Sequence, residues 1–133
     1  CASITGASVA LQLAFRKMVE KKMIPRFPMK ENVAAVSVGM KNGEWLLDLC
    51  YEEDSSADVD MNIVMTESGR LIEVQGTAEE RPFSRDDLNK MLDLAEGGLK
   101  TLFEIQKRAI GNEPVKNNTP FGNLGDALAG LNV

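Results

Sequence analysis

Five carboxylates crowd into the short stretch from Tyr51 to Asn62, between two apolar segments of the chain. Like charges held this close repel each other, so a fold that confines them normally supplies a cation, arginines or water as compensation. Asp54 and Asp60 are an even number of residues apart, and a loop leading into a strand would bring their carboxylates together. Two adjacent carboxylates suit a divalent ion that stabilises charge on a phosphate oxygen. A solvated acidic loop with no specific role is the alternative.

The absence of histidine narrows the chemistry further. With no His in 133 residues, the chain lacks histidine bases, Ser/His and Cys/His nucleophile pairs, and histidine metal ligands. Acid–base or metal chemistry then falls to carboxylates, which prefer hard ions such as Mg²⁺ or Mn²⁺. The formal net charge of −5 argues against a basic face for non-specific phosphate binding. Contact with nucleic acid would therefore need a divalent metal and a local set of arginines.

Cysteine content and hydropathy indicate the environment of the protein. Cys1 and Cys50 are too few for a disulfide framework and lack the spacing of a zinc site. Cys50 lies in an apolar run, so we predict that it is buried. No apolar run approaches membrane-spanning length and the start resembles no signal peptide, so we expect a cytoplasmic protein with no membrane partner. Because the chain opens without methionine and almost directly in a helical pattern, we also expect a longer parent.

The spacing of apolar residues predicts a first helix followed by four strands. Helical spacing runs from about Ala7 to Ile24 with Leu11 on the apolar face, and Ser3 or Thr5 is the expected N-cap. β-Branched or alternating runs then predict strands over residues 33–39, 45–51, 61–66 and 71–75, the last ended by Gly76. Tight turns such as Asn42-Gly43 join consecutive strands, which predicts a largely antiparallel meander.

A second helix follows the predicted sheet. Ser84 is its expected N-cap, Asp87 completes a capping box, and Gly111 is the expected stop. Gly97-Gly98 inside this helix predicts close packing against the sheet. The fold class is therefore α+β, with a four-stranded largely antiparallel sheet and both helices on one face. Residues 1–111 form the predicted domain, and residues 112–133 form a predicted flexible tail.

The segment from Ser3 to Gly6 is a second candidate for chemistry. Backbone N–H groups and hydroxyls immediately ahead of a helix can bind an anion. Simple helix capping explains the same residues, so the segment alone favours a structural role.

Several motifs resemble the C-terminal half of bacterial ribonuclease PH, over a stretch from the first residue to about Ile110. The most specific are the acidic run from Tyr51 to Asn62 and the string Glu73-Val-Gln-Gly-Thr-Ala-Glu79, supported by Ala2-Ser-Ile-Thr-Gly-Ala7 ahead of the first helix. The resemblance implies half of a ribonuclease PH or ribosomal protein S5 domain 2-like fold, in a parent about twice as long as this chain.

The same resemblance implies an activity. Members of that family are phosphate-dependent 3′→5′ exoribonucleases that trim the 3′ ends of tRNA precursors. Inorganic phosphate, the co-substrate, attacks the terminal phosphodiester and releases a nucleoside diphosphate, and the reverse reaction adds nucleotides. By motif, the family's two metal-coordinating aspartates fall on Asp54 and Asp60, which would hold Mg²⁺ or Mn²⁺. Expected partners are RNA and further copies of the chain, since family members form hexameric rings as trimers of dimers.

The resemblance also locates the phosphate site. The family's phosphate-binding Gly-Thr-Arg segment would immediately precede Cys1, which stands where the family usually has threonine, and Ser3 would lie near that site. We therefore expect these 133 residues to carry the metal-binding half only and to show very weak phosphorolysis by themselves. Two alternatives stay open: a non-catalytic ribonuclease PH-like subunit of an RNA-binding ring, and an inactive fragment of the enzyme.

Overall fold

The computed structural model describes residues 1–111 and contains seven elements. These are α1 (Ala2–Glu20), β1 (Val33–Lys41), β2 (Glu44–Leu47), α2 (Tyr51–Asp54), β3 (Val59–Thr66), β4 (Leu71–Ala78) and α3 (Arg85–Ile110). The order of helix, four strands and helix confirms the predicted α+β class, and α2 is an addition that the sequence pattern does not predict. No helix within these residues is long and apolar enough to cross a membrane. The predicted tail lies outside the described residues.

The four strands form one antiparallel sheet in the order β2-β1-β3-β4. The predicted meander is therefore correct in strand direction but wrong in order, because β3 pairs with β1 and not with β2. The Asn42-Gly43 hairpin is confirmed: both residues have positive φ, 52° and 83°, as a tight two-residue turn requires. The second strand ends at Leu47 and not at Tyr51, since Asp48 adopts a left-handed φ of 58°.

α3 packs across one face of the sheet and forms the core with it. β1 and β3 alternate their side chains, so the paired residues Val38 and Met61 both face α3 and are at most 2% exposed. A stripe on α3 at helical spacing completes the core with Met91, Ala95, Leu99 and Phe103. Removal of these apolar surfaces from water is the main stabilising contribution.

The ends of α3 follow the sequence prediction. Ser84 Oγ accepts a hydrogen bond from the Asp87 N–H at 3.1 Å, and Asp87 Oδ2 accepts one from the Ser84 N–H at 2.9 Å. Gly111 ends the helix with a φ of 83°. The close packing predicted at the glycine pair is confirmed for Gly98 alone. A Cβ there would lie 2.8 Å from the Leu47 side chain, whereas Gly97 faces open space.

α1 lies along the part of the β1 edge that the short β2 leaves unpaired. Thr5 Oγ1 accepts a hydrogen bond from the Ala35 N–H at 3.1 Å, and Ser8 Oγ accepts one from the Val33 N–H at 3.3 Å. These hydroxyls take the place of a neighbouring strand and satisfy buried backbone groups. The prediction that both helices cover one face is therefore correct for α3, whereas α1 covers the sheet edge and contacts α3.

Three predictions about α1 are wrong. Thr5 and Ser3 do not cap the helix, because it begins at Ala2 with Cys1 as N-cap and Thr5 turns toward β1. The helix ends at Glu20, ahead of Ile24, because Lys22 adopts a left-handed φ of 58°. Leu11 is 49% exposed, since the buried side of the helix is the one that binds the strand edge, with Ser8, Gln12 and Val19.

Candidate functional site

An acidic cleft of about 400 Å³ lies between three parts of the chain: residues 54–57, the start of β3 and the residues that follow β4. Its walls include four carboxylates and no Lys or Arg among the described residues. The full lining is Asp54, Ser55, Ser56, Ala57, Asp60, Glu79 and Glu80. The structure thus brings the two predicted aspartates to one cleft. It also adds Glu80, which the sequence motifs did not single out as a site residue.

Alternation along β3 places Asp60. Its neighbours Val59 and Met61 are at most 2% exposed and face α3, so the Asp60 side chain lies on the opposite face of the sheet. The backbone of Asp60 pairs with Gly39 on one side and with Thr77 on the other. A residue held between two neighbouring strands has little freedom, and Asp60 is therefore the rigid side of the cleft.

Asp54 reaches the cleft because the chain folds back across the sheet after β2. The N–H groups of Asp48 and Leu49 donate to the backbone oxygen and Oγ of Ser37 at 2.8 and 2.9 Å. Leu49 then packs directly over Gly39, where a Cβ would lie 2.8 Å from its side chain. Gly39 is thus required for the close approach that sets α2 beside β3. From the sequence alone, Gly39 is only the last residue of the first predicted strand, and its contact with Leu49 is not predicted.

The other carboxylates of the acidic run have structural roles. Glu53 Oε2 accepts from the Cys50 N–H at 2.9 Å and so caps α2. Asp58 Oδ2 accepts from the Asn42 N–H at 2.9 Å and lies 3.6 Å from Arg81 Nη2. Hydrogen bonds with its own backbone and with the Cys50 side chain hold the pKa of Glu52 below its ordinary value. The predicted burial of Cys50 is wrong, because its place ahead of α2 leaves it exposed.

Asp54 and Asp60 have no hydrogen bond or ion pair to any side chain within residues 1–111. Carboxylate oxygens are the ligands that hard divalent ions prefer, and Mg²⁺ commonly binds one or two carboxylates and completes its shell with water and phosphate oxygens. In this part of the chain no group of three or more His, Cys, Asp or Glu side chains is suited to holding a metal ion. Within residues 1–111 the cleft is therefore not a closed protein cage for a metal ion.

The thiol of Cys1, the N-cap of α1, contacts a side chain on the same face of the sheet as Asp60. The Cys1 thiol donates to Asn62 Oδ1 at 2.9 Å, and Asn62 is two residues along β3 from Asp60. Ser3 is exposed in the first turn of α1, so it is Cys1 that touches this face.

A larger cavity of about 530 Å³ lies between α1, β1 and α3, and its walls are mainly apolar. Asp48 is the single ionisable carboxylate among its described lining residues. By size alone this cavity would be the first candidate for a functional site. The acidic cleft is the stronger candidate because four carboxylates line it.

Comparisons with known proteins agree with this architecture. The crystal structure of rice (Oryza sativa) Rrp46 superimposes with a TM-score of 0.50 and 20% sequence identity, over 77% of this chain and 45% of that protein. This likeness shows the shared fold, and the chain spans less than half the length of that relative. A family model for domain 2 of the 3′ exoribonucleases, the C-terminal ribonuclease PH domain, matches residues 31–98, just over half of the chain. The chain therefore belongs to the 3′ exoribonuclease family, of which it contains domain 2.

Proposed function

We propose that this chain is the metal-binding half of a phosphorolytic 3′→5′ exoribonuclease of the bacterial ribonuclease PH type, acting on tRNA 3′ ends within a homo-oligomeric ring. The observation that carries the proposal is the pairing of Asp54 and Asp60 in one cleft, free of the structural bonds that occupy Glu53 and Asp58. Membership of the 3′ exoribonuclease family supports RNA as the substrate class.

In the proposed reaction an oxygen of inorganic phosphate attacks the phosphorus of the last phosphodiester. The bond from that phosphorus to the 3′ oxygen of the penultimate nucleotide breaks, and a nucleoside diphosphate leaves. Mg²⁺ or Mn²⁺ held by Asp54 and Asp60 would offset charge on the oxygens around phosphorus. The contribution of the chain is positioning, since displacement at phosphorus needs alignment and charge neutralisation more than a protein nucleophile.

The cleft by itself repels the phosphate co-substrate. Its described walls contain four carboxylates and no Lys or Arg, so a phosphate dianion would meet charge of its own sign. We therefore expect these 133 residues alone to release nucleoside diphosphates very slowly, with the cationic phosphate site supplied from outside them.

A non-catalytic RNA-binding ring subunit is the second candidate. It is favoured because, within residues 1–111, no group of three or more His, Cys, Asp or Glu side chains could hold a metal ion. The catalytic half-enzyme should bind a divalent ion through Asp54 and Asp60, whereas the non-catalytic ring subunit need not.

A Mn²⁺ titration, followed by electron paramagnetic resonance of the free ion, tests the proposal. We expect Asp54→Asn and Asp60→Asn each to weaken binding by about tenfold or more, since loss of a metal ligand should cost at least as much as loss of its outer partners. Asp93→Asn is the matched control: it removes an exposed aspartate on α3, away from the cleft, and should leave the affinity unchanged.

Equal affinities in all four proteins would refute the metal role and favour the second candidate. Circular dichroism spectra of the variants establish that each has folded. A fast phosphate-dependent release of nucleoside diphosphates by the native chain would contradict the assignment of the phosphate site to other residues.

A further inference from the structure

Positive charge is concentrated in one stretch of an otherwise acidic chain. The basic segment, residues 17–30, contains five of the fifteen Lys and Arg residues and a single carboxylate, whereas the whole chain has a net charge of −5. It covers the last turn of α1 and the first part of the connection to β1. The five cations are all exposed: Lys17, Lys21, Lys22, Arg26 and Lys30.

These cations have no carboxylate partners within residues 1–111. The ion pairs in this part of the chain involve Arg70, Arg81 and the lysines of α3, and none involves the basic segment. The neighbouring Glu31 has other partners, because it accepts from Ser68 Oγ at 2.6 Å and pairs with Arg70. The basic segment therefore presents positive charge to solvent that no nearby carboxylate neutralises.

An aromatic contact gathers the basic segment into one surface. The rings of Phe15 and Phe27 meet edge to face with their centroids 6.4 Å apart, so the connection after α1 packs back against the helix. This contact sets Arg26, the neighbour of Phe27, beside the last turns of α1. Lys17 and Lys21 are four residues apart and lie on one side of the helix.

The end of α1 has a lysine where a glycine would be less strained. The Lys22 N–H donates to the Val19 oxygen at 2.9 Å. The Met23 N–H donates to the Met18 oxygen, also at 2.9 Å, and the two bonds together form the Schellman pattern of a helix end. Lys22 occupies the left-handed position of that pattern, with a φ of 58°. Glycine is the usual residue there because a Cβ makes this conformation unfavourable, so the lysine adds charge and lowers local stability.

The basic segment and the acidic cleft lie at opposite ends of the domain. The hydroxyls that hold α1 to β1 show that the helix runs toward the start of that strand. Its last turns therefore pass the Val33 end of the sheet, whereas Asp60 is paired with Gly39 near the other end. Roughly 20 Å of strand lies between Val33 and Gly39, and α1 continues for roughly 18 Å beyond its bond to Val33.

We propose that the basic segment is a binding surface for the phosphate backbone of RNA, separate from the metal cleft. The described walls of the cleft contain no Lys or Arg and repel phosphate, so the attraction for a polyanionic substrate has to come from other residues. An RNA strand with its 3′ end at the cleft would extend along α1 and meet the basic segment. This inference rests on the proposed function only for RNA as the ligand, and contacts to the backbone alone give no sequence preference.

Fluorescence anisotropy of a labelled oligouridylate of about 20 nucleotides, measured in EDTA over a series of salt concentrations, tests this surface without the metal site. Lys17→Gln combined with Lys21→Gln should weaken binding about tenfold at about 0.15 M salt, because each lysine contributes about 0.7 to the logarithmic salt slope. The slope itself should become shallower by about 1.4. Lys90→Gln combined with Lys100→Gln is the matched control: it removes equal charge from exposed positions of α3 and should leave the affinity within about twofold.

Lys22→Gly separates RNA binding from stability. Glycine adopts the left-handed conformation easily, so the urea midpoint of this variant should equal or exceed that of the native chain. Its RNA affinity should nevertheless fall about fourfold at about 0.15 M salt, as expected for the loss of one phosphate contact. A lysine with a purely structural role would show no such loss.

Three outcomes would overturn the inference. The first is a native chain that does not bind the oligouridylate, and the second is equal affinity in the Lys17/Lys21 variant and its control. The third is binding to vesicles that contain anionic lipid in preference to RNA, since the surface would then suit a membrane. Asp54→Asn and Asp60→Asn should bind RNA in EDTA at least as tightly as the native chain, and the Lys17/Lys21 variant should keep its Mn²⁺ affinity. Failure of this surface and failure of the metal site are therefore distinguishable.

Discussion

Gln106 offers a direct test of how α1, β1 and α3 are held together. This side chain is 1% exposed, and its Nε2 donates to the Thr5 oxygen at 3.0 Å and to the Val33 oxygen at 2.9 Å. Its Oε1 is buried without a partner within the described residues. The amide orientation is fixed, because the opposite one would turn an oxygen toward two carbonyl oxygens. We therefore consider the replacement of Gln106 by Met, whose side chain has a similar length and no polar group.

The free energy of unfolding should fall by about 1 to 2 kcal/mol in Gln106→Met. Two neutral hydrogen bonds contribute about 1 kcal/mol each, and removal of the unpaired Oε1 returns part of that loss. Gln106→Ala also removes the packed stem and leaves a cavity, so its cost should rise to about 3 kcal/mol. The difference between the two variants separates the contribution of packing from that of hydrogen bonding.

Urea unfolding followed by circular dichroism measures both changes in free energy. Asn89→Met is the control, since it makes the same kind of change at an exposed position of α3 and should alter stability by less than about 0.5 kcal/mol. If Gln106→Met were as stable as the native chain, the two hydrogen bonds would have no net value. The inference that Gln106 joins α3 to α1 and β1 through hydrogen bonds that stabilise the fold would then be wrong.

Two further predictions concern local polar contacts. Ser84→Ala removes one side of the capping box of α3 and should lower the free energy of unfolding by about 1 kcal/mol; an unchanged urea midpoint would contradict the role of the cap. Hydrogen bonds from Ser68 and Thr66, with the nearby Arg70, lower the pKa of Glu31 from 4.5 to about 2. Because this pKa is lower in the folded state, the ionised group stabilises the fold above pH 4.5, and that contribution is lost as the pH falls toward 2. Glu31→Gln should therefore be less stable than the native chain at pH 6, and the two should converge near pH 2 in the same unfolding assay.

Local sequence chemistry was sufficient where a few adjacent residues decide the geometry. The Asn42-Gly43 turn and the capping box at Ser84 are correct in the structure because each depends on backbone conformations that only certain residues adopt easily. The strand predicted over residues 61–66 begins at Val59 in the structure, and alternation then places Asp60 on the face away from the core. The sequence likewise brought Asp54 and Asp60 forward as a pair, through a motif whose role in metal binding remains a proposal.

Contacts between distant residues decided the rest. The sequence did not determine the strand order, because β3 could have paired with β2 or with the second edge of β1. In the structure β2 ends at Leu47, just before the left-handed Asp48, and β3 pairs with β1. The helical pattern of α1 showed an apolar side, yet hydroxyls from Thr5 and Ser8 bind the strand edge and turn Leu11 outward.

The acidic run shows the same division between sequence and tertiary structure. By itself, the sequence determined that these 133 residues contain no histidine, and it brought Asp54 and Asp60 forward as a candidate pair of carboxylates. Only the tertiary structure determined which carboxylates already have bonding partners. Asp58, for example, accepts from the N–H of Asn42, 16 residues earlier, and lies close to Arg81, further along the chain. Such pairings depend on distance in space, and a linear pattern carries no record of them.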